Sequence, residues 1–174
     1  MTRRLHQKDQ YPHLVGGFTL MEMLVVLAVI GILASFVIVR LSEARRTARA
    51  VQARAEVNQI RKAISMLEND TGEWPGHRPI DDVQSGISGG EMWNLNIPGA
   101  GLVATDGAYV RWRGPYITTV PFDPWGNSYF FDPDYDVDPG AGQTWAAVVG
   151  SFGPNGIGQN VYDSDDIYEI LTSE

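Results

Sequence analysis

The chain contains no cysteine, so neither disulfides nor thiolate metal sites contribute to its fold. That absence leaves the compartment open, because many proteins of oxidising compartments also lack cysteine. Histidine is nearly missing too, with only His6, His13 and His77, and residues 72–174 carry three basic side chains against fifteen acidic ones. A segment with that balance cannot neutralise phosphates, which demand Lys and Arg, so nucleic acid is not expected as a partner. A phosphate loop and a cysteine nucleophile are absent, and no spacing among the acids singles out a pair for glycoside cleavage. No enzyme is predicted. Pro and Gly are missing from Arg40 to Asn69, which allows one uninterrupted helix there. Beyond Gly72 no stretch is long enough for a second major helix.

From Phe18 to Val39 the chain is almost wholly apolar, interrupted by Thr19, Glu22, Gly31 and Ser35. A helix of that length rises roughly 33 Å, about the thickness of a bilayer's hydrocarbon core, so the segment can span a membrane. It exceeds the apolar core of a secretory signal peptide and passes directly into helix-forming sequence, so it is expected to stay attached. A carboxylate at mid-bilayer costs on the order of 2.5 to 3.5 kcal/mol, and Glu22, one turn inside the run, therefore calls for a partner. Charge does not orient the span, since Arg3, Arg4 and Lys8 precede it while Arg40, Arg45, Arg46 and Arg49 follow it.

The helix pattern continues beyond the span. Leu41, Ala44, Ala48, Val51 and Ala55 recur at spacings of three and four, and after a change of phase Val57, Ile60, Ile64 and Leu67 extend the stripe. One helix of about 50 residues is predicted, greasy all round in its first half and burying one face of its second half against a head. Asn69-Asp70-Thr71-Gly72 should stop it, Gly72 suiting a left-handed C-terminal position and Pro75 being unable to continue. Residues 73–107 read as an irregular loop with one short helix around Gly90 to Asn94. Strands are predicted at Ala108–Arg111, Tyr116–Val120, Ser128–Phe131 and Thr144–Phe152, making a small antiparallel sheet. The fold class is α+β.

The segment Gly17-Phe18-Thr19-Leu20-Met21-Glu22, behind a short charged leader, resembles the type IV prepilin family. The resemblance implies a pilin fold with a leader at 1–17, a filament-core helix at 18–39, its amphipathic continuation at 40–71 and a globular head at 72–174. It also implies a single pass through the inner membrane, leader in the cytoplasm and head in the periplasm. A prepilin peptidase would cut after Gly17 and methylate the new terminus at Phe18. Glu22 would pair with the Phe18 ammonium of a neighbouring copy and set the register of a helical homopolymer, as charge satisfaction in a low dielectric demands.

Two further segments narrow the resemblance. Gly114-Pro115-Tyr116-Ile117 and Pro121-Phe122-Asp123-Pro124-Trp125-Gly126-Asn127-Ser128-Tyr129 look like the major pseudopilins of type II secretion systems, with Ser128 where Pro is usual. Here Asp123 and Gly126 suit a turn and Trp125 offers an apolar face to fasten it to the sheet. Ser151-Phe152-Gly153-Pro154-Asn155-Gly156 and Asp163-Ser164-Asp165-Asp166-Ile167 resemble that subfamily's calcium loop, which implies a calcium ion near Asn155, Asp163, Asp165 and Asp166, with Asn155 a neutral replacement. Calcium takes six to eight oxygens, so a Gly-rich acidic loop suits it. A rival acidic run, Asp132, Asp134, Asp136 and Asp138, would lie on one side of an extended strand.

The expected role is a structural filament subunit that drives protein export. It would work with minor pseudopilins, an inner-membrane assembly platform and its ATPase. A pilin serving adhesion, motility or DNA uptake, and a membrane-anchored binding module that does not polymerise, are the alternatives.

Overall fold

The computed structural model describes residues 17–83, 89–140 and 142–173. The leader, apart from Gly17, lies outside the described residues. The chain divides into two compact units, Met1–Glu43 and Ala44–Glu174, with the division falling inside one long helix. This helix, α1, covers Leu20–Thr71, 52 residues. It ends where predicted: Gly72 adopts φ 76° and its N–H donates to Glu68 O at 2.8 Å, the left-handed capping bond that Gly makes at least steric cost. Thr71 Oγ1 assists, donating to Leu67 O at 2.7 Å and accepting from Glu73 N at 3.1 Å.

In the first unit the helix exposes Leu24, Leu27, Ile30, Leu33, Phe36 and Ile38. It is the one described helix long and apolar enough to cross a membrane. Ser35 Oγ donates to Ile32 O at 2.7 Å, so its hydroxyl is satisfied within the helix.

In the second unit α1 buries Ala53, Val57, Ile60, Ile64 and Leu67, residues three and four apart on one face. That face packs on a three-stranded antiparallel sheet, order β3-β4-β5, made of Phe130–Asp136, Trp145–Ser151 and Ile167–Ser173. Alternation along the strands makes two cores. Phe131, Ala147 and Val149 join the helix side with Trp74, Leu95, Leu102 and Tyr109, while Phe130, Tyr135, Ala146 and Val148 face a second cluster with Trp93, Phe152, Tyr162 and Tyr168. Gly150 is required in β4: a Cβ there would stand 2.8 Å from the Phe130 ring and 3.0 Å from Ile167 O. Polar ties add to the packing. Tyr129 donates to Glu56, Tyr116 Oη to Asp70 Oδ2 at 3.0 Å, and Asn58 Nδ2 to Glu169 Oε1 at 3.2 Å. A two-stranded hairpin, β1 Glu73–Trp74 and β2 Arg78–Pro79, follows the helix, and a 3₁₀ turn covers Pro98–Ala100.

Several expectations need correction. Gly90 to Asn94 is not helical, because Gly89 and Gly90 take positive φ and Met92 pairs with Phe131 through both backbone groups, at 2.7 and 2.9 Å. Ala108–Arg111 and Tyr116–Val120 are not strands. Tyr109 turns into the core and Arg111 takes φ 64°, while the N–H groups of Tyr116 and Ile117 both reach Leu102 O. The predicted Ser128–Phe131 strand begins at Phe130 and runs on to Asp136, through the acidic run expected to be extended. A bulge between Asp132 and Tyr135 absorbs the Pro, which has no N–H to donate. Strand β5 was not anticipated. Of the helix stripe, Leu41, Ala44, Ala48, Val51 and Ala55 stay exposed, since the change of phase after Ala55 separates them from the face on the sheet.

Truncating Leu67 to Ala should cost about 2–5 kcal/mol in urea unfolding. Val51→Ala on the exposed stripe should stay within about 0.5 kcal/mol.

Candidate functional site

The segment from Gly17 to Glu22 forms a helix start with its own chemistry. Gly17 and Phe18 are exposed, Phe18 by 78 %, and a Cβ on Gly17 would meet nothing within 4 Å. Thr19 caps α1: its Oγ1 accepts from Glu22 N at 3.2 Å, and Glu22 Oε2 accepts in return from Thr19 N at 2.8 Å and Thr19 Oγ1 at 2.9 Å. This is the reciprocal capping box, in which an acid three residues into the helix satisfies the backbone of the cap. Its sequence signal, Thr-x-x-Glu ahead of an apolar run, was available and passed unread. The carboxylate also sits at the positive end of the helix dipole. Its second oxygen, Oε1, has no partner among the described residues, and Met21, Val25 and Val26, which line an open cleft with Glu22, are exposed. The arrangement offers a preorganised anion on a bare apolar surface, with room for one more donor.

In the C-terminal loop the structure brings three of the four predicted ligands together. Asn155 Nδ2 donates to Asp163 Oδ2 at 2.8 Å and to Asp165 Oδ1 at 2.5 Å, and Asn155 N donates to Asp165 Oδ2 at 3.0 Å. Gly153 is needed for this closure, since a Cβ there would fall 2.1 Å from Asp165 O. Asp166 is committed elsewhere: Tyr135 Oη on β3 donates to its Oδ2 at 2.7 Å. Burial pushes the Asp166 carboxyl up to about 6 despite that bond, with the Asp163 charge adding to the rise. Its Oδ1 is buried without a hydrogen bond. Asp163 and Asp166 line a cleft of about 340 Å³ with Tyr135, Tyr162 and Tyr168. Among the described residues no three His, Cys, Asp or Glu side chains converge in metal-holding geometry. The carboxylates supply oxygens, the chemistry a hard cation takes, and Asp166 Oδ1 is left over, whereas Asn155 turns its Nδ2 to the acids and its Oδ1 accepts from Ile157 N at 2.7 Å.

The rival acidic run is not a solvated face. Asp132, Asp134 and Asp136 are buried within β3, and only Asp138, beyond its end, is exposed. Burial, then the hydrogen bond with Asp134, pushes the Asp132 carboxyl well above the usual carboxylate range, which favours its protonated form.

The Pro121–Tyr129 turn forms as its residue types suggest, but a different residue fastens it. Trp125 is only partly buried, whereas buried Asp123 accepts from Trp125 N at 3.0 Å, Asn127 N at 2.8 Å and Ser151 Oγ at 2.6 Å. Gly126 takes φ 97° within it. A carboxylate accepting several N–H and O–H groups holds a loop more firmly than one half-buried ring.

The profile of type II secretion system protein G matches residues 100–169, and that of the prokaryotic N-terminal methylation motif matches residues 14–38. Among curated proteins, the chain is similar to type II secretion system core protein G of Aeromonas hydrophila, 32% identical over 114 residues, covering 66% of this chain and 70% of that protein. The core protein G of Klebsiella pneumoniae is 26% identical over 151 residues, 87% of this chain and 91% of the relative. That of Escherichia coli K12 is 29% identical over 140 residues, 80% and 82% respectively.

Replacing Tyr135 with Phe should destabilise the head by about 1–3 kcal/mol near pH 7, where Asp166 loses the donor to its ionised form. The loss should shrink near pH 4, where Asp166 is protonated with or without that donor; urea unfolding at the two pH values measures both.

Proposed function

Because this chain belongs to the family of the type II secretion system core protein G, we infer that it is a structural pseudopilin, anchored by its apolar helix and polymerising with copies of itself within the secretion apparatus. We propose that residues 1–17 form a cytoplasmic leader, removed by a prepilin peptidase at the exposed Gly17–Phe18 bond and followed by methylation of Phe18. The methylation-motif match over residues 14–38 supports this. The head then stands in the periplasm, and minor pseudopilins, the inner-membrane platform and its ATPase act on the same helix.

One observation carries the assembly step: Glu22 keeps a carboxylate on a bare apolar helix with one oxygen engaged by Thr19 and the other without a partner among the described residues. Drawn into a bundle of like helices, that charge is costly unless a cation meets it, and the ammonium of a neighbouring copy is the group the processing would create. Thr19 preorganises the acceptor, holding Glu22 at the helix start before the neighbour arrives. Work is done mechanically, as apolar helices leave lipid for one another.

The capping box makes a sharper test possible than deletion of the side chain. Glu22→Ala removes both cap and charge, whereas Glu22→Gln keeps an acceptor for the cap and removes only the charge. Both variants should leave the head folded and abolish filaments seen by electron microscopy. Normal filaments from Glu22→Gln would contradict charge pairing and leave Glu22 as a helix cap alone.

We further propose that the C-terminal loop takes up calcium through Asp163, Asp165 and Asp166, with the Asn155 amide flipping so that its oxygen, which here accepts from Ile157 N, replaces Nδ2 beside them. The cation would neutralise carboxylates that otherwise repel and would tie the loop to β3 through Tyr135. Chelation should lower the melting temperature of the segment from Ala44 onward, and Asp165→Ala should remove the difference. An unchanged melting temperature on chelation argues against calcium.

A further inference from the structure

His77 belongs neither to the assembly segment nor to the acidic loop. It sits between β1 and β2 with φ 58°, a conformation that residues other than Gly rarely adopt. Its ring is held from both ends: Nδ1 lies 2.8 Å from Glu73 Oε2 on β1, and Nε2 lies 3.0 Å from Asp106 Oδ2 in the loop after the 3₁₀ turn. The ring stacks on Tyr109, centroids 3.9 Å apart. Beneath it the Tyr109 hydroxyl accepts from Gly76 N at 3.0 Å and His77 N at 3.3 Å and donates to Gly99 O at 2.8 Å, fixing the backbone on which His77 stands. Burial pushes that phenol up to about 12, so it stays neutral. The titratable groups facing the imidazole are thus Glu73, Asp106 and Tyr109, while the neighbouring Arg78 is turned to Gly89 O.

A neutral imidazole has one N–H and one lone pair. It can donate to one of these carboxylates but must present its lone pair to the other. The imidazolium donates to both. We propose that His77 is a proton-operated latch: as the imidazolium it ties the β1–β2 turn to the 98–109 loop through both carboxylates, and loss of its proton replaces one tie with repulsion, loosening the Asp106 end while Tyr109 and the Gly76 N–H on Gly99 O keep the loop in place.

Burial alone would lower the His77 pKa, but the bonds to Asp106 and Glu73 outweigh it, and the net shift is upward from 6.5. Asp106 is lowered in turn, first of all by its bond to His77. The sign follows from linkage. A histidine whose folded pKa is raised contributes stability that is fully present below its unfolded pKa, and this is lost as pH rises through the folded one. The latch is therefore shut in mild acid and opens on the alkaline side of the ordinary histidine range, whether or not the chain forms filaments.

An NMR titration of the histidine rings in the detergent-solubilised full chain tests this. The chain has three histidines, and the resonance missing from His77→Asn, a residue that tolerates positive φ, identifies His77. Its midpoint should lie above about 6.5 and should fall in Asp106→Asn. Between about pH 6 and pH 8.5 the wild-type melting temperature should decline, and the decline should be shallower in His77→Asn. A wild-type midpoint at or below that of free histidine, or an identical decline in His77→Asn, overturns the latch.

Discussion

The contact between one face of α1 and one face of the sheet carries the second unit. Val57, Ile60, Ala63, Ile64 and Leu67 meet Phe131, Ala147 and Val149 in a core of buried residues. Removing such side chains from water is the main favourable term available to a domain without disulfides. Two polar ties border that contact. Tyr129 and Tyr116 run from the loops to acids on the helix, so the same helix that supplies apolar surface also supplies hydrogen-bond acceptors at its margins.

Loops occupy much of the head, and side chains that imitate backbone hold them. Asn96 is one: its Nδ2 donates to Val120 O at 2.8 Å and its Oδ1 accepts from Val120 N at 2.9 Å, a two-point pairing like that of adjacent strands. Asp123 performs the equivalent task for the Pro121–Tyr129 turn, and Asn155 for the acidic loop. These ties explain why so many Asp, Asn and Gly residues produce order rather than a mobile surface.

Helix α1 was legible because its signals are local. Periodicity, the lack of Pro and Gly and the stop at Gly72 all act within a few residues of each other, and the predicted length and terminus agree with the structure. The sheet was half legible. Trp145–Ser151 has the β-branched and small apolar residues of a buried strand, but Phe130–Asp136 carries three acids and a Pro, and only burial beneath the aromatic cluster of Trp93, Phe152, Tyr162 and Tyr168 makes it a strand. Burial also sets Asp132, Asp134 and Asp136 apart from ordinary acid runs, which face water. The Thr19–Glu22 cap was fully local and could have been read from spacing alone.

Composition and short-range pattern, then, determined the apolar helix, its amphipathic continuation, the Gly17–Glu22 segment at its start and the acidic character of the head, because each depends on neighbours in the chain. Only the tertiary structure decided which acids are buried, that Asp166 turns to Tyr135 while Asp163 and Asp165 gather around Asn155, and that Glu73 and Asp106 close on His77. Those pairings join residues far apart in sequence. Their geometry follows from how the core brings distant loops together, and no local propensity encodes it.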